Sequence, residues 1–230
     1  MKTIGLIGGM SSESTAIYYR ILNATVKEAL GGLHSAKCIL YSLDLAEVEA
    51  YQAKGDWVGA ARLMVKVGRT LHKAGAELLL ICANTMHKVA PEVQRFVPIP
   101  LLHIADVAAQ AVVEQGLSRV ALLGTSITLE QDFYIRRLLD RGVRAVTPGP
   151  DDRALLDRII YGELCQGKAL PESREALLAL LGRMSDQGVK GVLLGCTELG
   201  MLLRQADLTL PVFDTAYLHA REAALLSLKG

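Results

Sequence analysis

The sequence predicts an α/β protein with parallel sheets flanked by helices. Three observations carry this expectation. Short apolar runs without polar alternation, such as those at 78–81 and 192–194, have the length and character of strands covered on both faces. Between such runs lie longer segments of helical periodicity, opened by Ser, Thr or Asp and closed by Gly. Strands and helices alternate along the chain, the order that parallel pairing requires because each crossover needs a dozen or more residues.

Taken in order, residues 3–7 read as a first strand. Gly8, Gly9 and Met10 then turn the chain into a helix that Ser11, Ser12 and Glu13 open and Gly31 and Gly32 close. Residues 37–43 read as a second strand. The acidic stretch holding Asp44, Glu47 and Glu49 reads as a solvated loop and helix surface. A helix over 58–74 closes at Gly75 and leads into the strand at 78–81. The helix that follows from Thr85 is expected to break at Pro91, and 97–102, with Pro98 and Pro100, reads as a rigid connection between domains. The order then restarts: helix 104–115, strand and turn 119–125, helix 131–139, strand 143–147, a break at Pro148 to Pro150, helices 154–164 and 173–187, and strand 192–194. An extended piece at 211–214 and a helix at 215–228 end the chain, the helix long enough to return to the first domain. The predicted domains are 1–98 plus 209–230, and 99–208.

A 230-residue chain with 51% hydrophobic and 21% charged residues can bury one large or two modest cores. Its net charge of +1 is scattered, which excludes the basic footprint of a nucleic-acid binder or a polybasic membrane patch. The apolar run near the N-terminus breaks at paired glycines and reads as a strand and not a signal peptide. No apolar run approaches the roughly 20 residues that span a bilayer. A cytoplasmic protein is expected. Cys38, Cys82, Cys165 and Cys196 are too few and too dispersed for a disulfide framework. Gly5, Gly8 and Gly9 do not make a dinucleotide fingerprint, no Walker-type loop is present, and no pair of the five histidines has metal-binding spacing. The histidines are therefore expected to be structural, and neither a metal site nor a dinucleotide site is expected.

An internal repeat singles out two of the cysteines. Laying "IGLIGGMSSESTAIYY" over "VALLGTSITLEQDFYI" aligns Gly8 with Gly124 and Tyr18 with Tyr134 at a separation of 116. Laying "ELLLICANT" over "GVLLGCTEL" aligns Cys82 with Cys196 at a separation of 114. Two blocks recurring in one order imply duplication, hence two similar Rossmann-like domains related by pseudo-twofold symmetry. Ligands of open α/β sheets bind beyond the carboxyl ends of the strands. Cys82 and Cys196 lie at such ends, as do Met10, Ser11, Asn84, Thr85, Thr125 and Thr197, a set of donors near helix starts that suits a carboxylate.

The turn "GLIGGMS", the first cysteine motif "CANTMH", the turn "LLGT" and the second cysteine motif "GCTEL" together resemble the aspartate/glutamate racemase superfamily, above all its bacterial aspartate racemase-like and broad-specificity amino-acid racemases. The resemblance spans nearly the whole chain. It implies a homodimer paired through the first domain, an amino-acid substrate held in a cleft between two domains, and catalysis by Cys82 and Cys196 without pyridoxal phosphate or metal. Two bases suit the reaction, because inverting an α-carbon removes a proton from one face and returns one to the other. The sulfurs are then expected roughly 7 to 8 Å apart, one carbon between two hydrogen-bond-length approaches. Asn84, Thr85, Thr125 and Thr197 are candidates to steady the substrate carboxylate. Aspartate-specific relatives place an arginine in the loop after the second strand, and the stretch from Asp44 to Glu49 has none, so a broad or non-acidic preference is expected. Two alternatives stay open: a single-cysteine nucleophile, as in related isomerases and decarboxylases, and a small-molecule binder without catalysis.

Overall fold

Strand β1 (Ile4–Gly8) is buried along its whole length and lies at the centre of the first sheet of the computed structural model, which describes residues 1–229. It pairs in parallel with β2 (Cys38–Ser42) on one side and β3 (Leu78–Ile81) on the other. Burial of both inner strands explains their unbroken apolar sequences. Helix α1 (Ser12–Leu30) connects β1 to β2. Its first turn is capped by the Ser11 hydroxyl, which accepts from Ser14 N–H at 3.3 Å. The acidic stretch after β2 forms α2 (Leu45–Ala53), with Asp44 as its cap, and α3 (Trp57–Lys73) begins on the carboxylate of Asp56. Ala60, Met64, Val67 and Leu71 recur at helical spacing on α3 and bury its inner face.

Beyond β3 comes a 3₁₀ turn, Thr85–Val89, and then α4 (Ala90–Phe96). Pro91 lies in the first turn of α4, so it starts a helix where an interruption was expected. A missing N–H costs nothing at that position. The segment 97–102 also differs from its reading as a connection. Leu101 bridges Leu79 in parallel, Leu79 N–H donates to Pro100 O at 2.9 Å, and Leu102 N–H donates to Leu79 O at 3.0 Å. The prolines are tolerated because the segment is the sheet's edge.

The second sheet has the order β5-β4-β6-β7, all parallel, built from β4 (Arg119–Leu123), β5 (Arg144–Val146), β6 (Val192–Leu194) and β7 (Val212–Asp214). With the Leu101 bridge counted as an edge, the first sheet has the corresponding order. Helices α5 (Ile104–Glu114), α6 (Ser126–Glu130), α7 (Asp132–Asp140), α8 (Pro150–Gly162) and α9 (Pro171–Ser185) belong with the second sheet, and α10 (Thr215–Leu228) closes the chain. Among the described residues no helix is long and apolar enough to cross a membrane.

The chain divides into two units, Met1–His103 with the chain from His219 onward, and Ile104–Leu218. The expected boundary near residue 209 falls too early. Residues 212–214 pair with β6 and so belong to the second unit, because strand hydrogen bonds outweigh the break that Pro211 suggests. The later part of α10 serves the first unit, where Lys2 N–H donates to Ser227 O at 2.8 Å.

The ladders also correct the repeat. Ile7 pairs with Ile81 and Leu123 pairs with Leu194, so the second block is offset by 113 and not 114. Cys82 N–H donates to Ile7 O at 2.9 Å, while the corresponding bond in the second sheet, Gly195 N–H to Leu123 O at 2.6 Å, comes from the residue before Cys196.

Candidate active site

In the first unit, Met10, Ser11, Cys82, Asn84 and Thr85 gather at the carboxyl ends of the neighbouring strands β1 and β3, and all are buried. The turn that delivers Met10 and Ser11 depends on Gly9, whose φ is +83°. A Cβ there would sit 2.0 Å from Leu43 O. Gly9 N–H donates to Thr15 Oγ1 at 2.8 Å, and the Thr15 hydroxyl donates to Ser11 O at 2.6 Å. This first amide of the turn is therefore spent on holding the turn. Cys82 is fully buried, and burial, with a smaller electrostatic contribution from Cys38, raises its pKa well above the ordinary thiol range.

One residue in this unit escaped sequence reasoning. His87, inside the "CANTMH" stretch, donates its Nδ1–H to Ala83 O at 2.7 Å and so fixes the backbone next to Cys82. Its ring lies 4.5 Å from that of His103 and 5.6 Å from that of His219. His219 Nε2–H donates to Leu102 O at 2.9 Å, since a carbonyl can only accept. That leaves Nδ1 to accept from the Tyr18 hydroxyl at 2.8 Å. Burial, reinforced by His87, lowers the His219 pKa to about 3. His87 is four residues from Ala83, the one signal in the sequence that could have pointed to its contact.

In the second unit, Thr125 follows β4, and Cys196 and Thr197 follow the adjacent β6; all three are buried. Gly195 makes the approach of Cys196 possible. A Cβ on it would meet Leu122 Cδ1 at 2.7 Å and Leu123 O at 2.9 Å, so the residue before the cysteine has room for no side chain. The Cys196 thiol donates to Glu198 Oε2 at 2.8 Å, and the Thr197 hydroxyl donates to the same oxygen at 2.8 Å. Glu198 is 2% exposed. Burial first, and then the adjacent Glu198 carboxylate, hold the Cys196 pKa well above the ordinary thiol range. Glu198 stands in the "GCTEL" motif but received no role from the sequence, because a glutamate after a turn is ordinarily a solvated one. Thr125 Oγ1 lies 3.2 Å from Thr128 Oγ1. Asp214, at the end of β7, accepts from Ala216 and Tyr217 N–H and caps α10, with Gly200 so close that a Cβ would meet its Oδ2 at 2.3 Å.

Among the described residues no group of three or more His, Cys, Asp or Glu side chains is arranged to hold a metal ion. What the two sheet ends offer is acid–base chemistry: a buried thiol at each, one of them in contact with a carboxylate.

A sequence profile of the Asp/Glu/Hydantoin racemase family matches residues 7–223. The crystal structure of a candidate Asp/Glu racemase from Yersinia pestis superposes with a TM-score of 0.91 at 49% identity, covering 99% of this chain and 100% of that one. An aspartate racemase homologue from Pyrococcus horikoshii OT3 superposes with a TM-score of 0.86 at 35% identity over 99% of this chain and 100% of that one. A glutamate racemase from Pseudomonas paraeruginosa is 27% identical over 197 residues, 81% of this chain and 71% of its own length.

Proposed function

The chain belongs to the Asp/Glu/Hydantoin racemase family, and from that premise we propose that it inverts the α-carbon of an amino acid with Cys82 and Cys196 as the two bases, without pyridoxal phosphate or metal. The observation that carries this reading is the Cys196–Glu198 contact at 2.8 Å. A buried thiol does not ionise readily by itself. When the proton of Cys196 passes to Glu198, the thiolate forms while the net charge of the pair stays the same, so burial costs far less. The thiolate then takes the proton from Cα, the C–H electron pair passes into the carboxylate-stabilised carbanion, and the Cys82 thiol returns a proton to the other face. In the reverse direction the two cysteines exchange roles. Asn84, Thr85, Thr125 and Thr197, together with Met10 and Ser11, are the proposed substrate-binding set.

The substrate is a broad-range or non-acidic amino acid. After β2, where a cation would clamp a side-chain carboxylate, the chain carries Asp44, and its carboxylate accepts from Ala46 N–H at 3.1 Å. Four free thiols suit a reducing, cytoplasmic setting. The difference between the thiols also favours a second reading, in which Cys196, with Glu198 as its base, is a lone nucleophile in an isomerase or decarboxylase. Incubating a panel of L-amino acids in deuterium oxide, with chiral chromatography and mass detection, separates the two. Racemisation places deuterium on Cα of the inverted product. Inversion of no member of the panel would refute it.

A further inference from the structure

Thr215 is the first residue of α10 and is fully buried. A hydroxyl at a helix start ordinarily caps the helix by accepting from backbone N–H groups. Here that task belongs to Asp214, whose carboxylate accepts from Ala216 N–H at 2.9 Å and Tyr217 N–H at 3.1 Å. The Thr215 hydroxyl instead donates to Leu194 O at 2.6 Å. Leu194 is the last residue of β6, and its pairing with Asp214 ends the ladder to β7. One residue beyond Asp214 the chain has turned into α10, so a side chain takes over where the regular pairing stops.

The peptide group between Leu194 and Gly195 is thereby held from both sides. Its carbonyl accepts from Thr215, and its N–H donates to Leu123 O at 2.6 Å. A planar peptide fixed at both its oxygen and its nitrogen has little freedom to rotate. The next residue is Cys196, whose thiol donates to Glu198 Oε2 at 2.8 Å. The far end of this segment is held as well. Cys196 O accepts from Leu199 N–H at 3.2 Å, and Glu198 O accepts from Met201 N–H at 2.9 Å in the 3₁₀ turn Leu199–Met201. Gly200 of that turn lies against the Asp214 carboxylate. Two residues adjacent in the chain, Asp214 and Thr215, thus brace the two ends of the segment that carries Cys196 and Glu198.

We propose that Thr215 is a positioning residue for Cys196: by fixing the Leu194–Gly195 peptide, its hydroxyl holds the thiol at the distance from Glu198 that proton transfer requires. The catalytic consequence rests on the reaction proposed above; the structural consequence does not.

Infrared spectroscopy reads the contact directly, because a hydrogen bond to a carboxylate weakens the S–H bond and lowers its stretching frequency. Subtracting the spectrum of the matching Cys196→Ser protein isolates the Cys196 band. Thr215→Val, of the same shape without the hydroxyl, is expected to move that band up toward the frequency of a weakly bonded thiol, and Thr215→Ser to leave it in place. On the amino acid that the deuterium assay identifies as substrate, Thr215→Val is expected to lose about ten- to hundred-fold in kcat with KM changed by less than about two-fold. Thr215→Ser is expected to recover most of the loss. Thr215→Ala, which sets no added methyl against the strand, repeats both measurements should the valine variant not fold. Leu177→Ala, a core truncation elsewhere in the unit, is expected to lower the melting midpoint but to leave the band and kcat unchanged, which separates positioning from loss of stability. An unmoved band in the variants without the hydroxyl, a moved band with full kcat, a serine variant that behaves like valine, or the same shift in Leu177→Ala would overturn the proposal. If no amino acid is racemised, the band alone decides, and its shift would leave the hold of Thr215 on Cys196 standing while the proposed reaction falls.

Discussion

The Cys196 thiol donates to a carboxylate that also accepts from Thr197, and in the proposed two-base reaction Glu198 is the residue on which thiolate formation turns. Glu198→Gln keeps the shape and still offers an oxygen to the thiol, but it cannot accept the proton. Racemisation is expected to fall by about 10²- to 10⁴-fold, the usual contribution of general acid–base catalysis, while the melting curve stays close to that of the parent; the rate constant from chiral chromatography checks it. Two bases also demand reciprocity. Cys82→Ser and Cys196→Ser should each reduce racemisation by about 10³-fold or more. Each should retain slow Cα–H exchange for one configuration only, opposite in the two variants. An undiminished Cys82→Ser beside an inactive Cys196→Ser would favour the lone nucleophile.

At the scale of elements, the site is set by how strand ends are allowed to approach one another. The crossing of Gly195 with β4 leaves no space for a methyl, so Gly195→Ala must push Leu122 or the backbone of Leu123 aside. Overpacking of this kind costs about 1–3 kcal/mol, and it moves the residue before Cys196. A lower denaturation midpoint with an unchanged slope, together with a loss of rate, is the expected result. The other decisive assembly is the Tyr18–His219–Leu102 chain, which ties α1 and α10 to the edge of the first sheet. Unfolded, His219 titrates near its ordinary value of about 6.5; folded, near 3. Between these values the unfolded chain binds a proton that the folded chain refuses, so this contribution is complete above about pH 6.5 and is lost as pH falls toward 3, at up to about 1.4 kcal/mol per pH unit. Urea denaturation of the parent and of His219→Gln between pH 7 and pH 4 should show a shallower loss in the variant. Parallel curves would mean that His219 takes up its proton as readily in the fold as in the unfolded chain.

For the whole molecule, the two-base reading sets one distance. In a crystal structure with a substrate analogue bound, the sulfurs of Cys82 and Cys196 are expected about 7 to 8 Å apart with the α-carbon between them; either sulfur directed away from the analogue would end that reading. The alternation of elements, the apolar strands and both cysteine motifs were legible in the sequence, because strand burial and helix periodicity are written in the residues nearest to one another along the chain. The family could be read for the same reason, from four short motifs in order. Three things could not. The edge role of 97–102 and the membership of 212–214 in the second sheet depend on hydrogen bonds to strands far away in sequence, and prolines there signal a break whether or not a sheet edge lies beside them. The one-residue offset of the second repeat is invisible to overlay, since only the ladder shows that Gly195 occupies the place of Cys82. The partners of Glu198 and His87 were also hidden. A glutamate or a histidine in a motif has the same letter whether it faces water or, as here, is buried against a thiol or a carbonyl, and only the packing of the chain around it removes the water that would otherwise satisfy it.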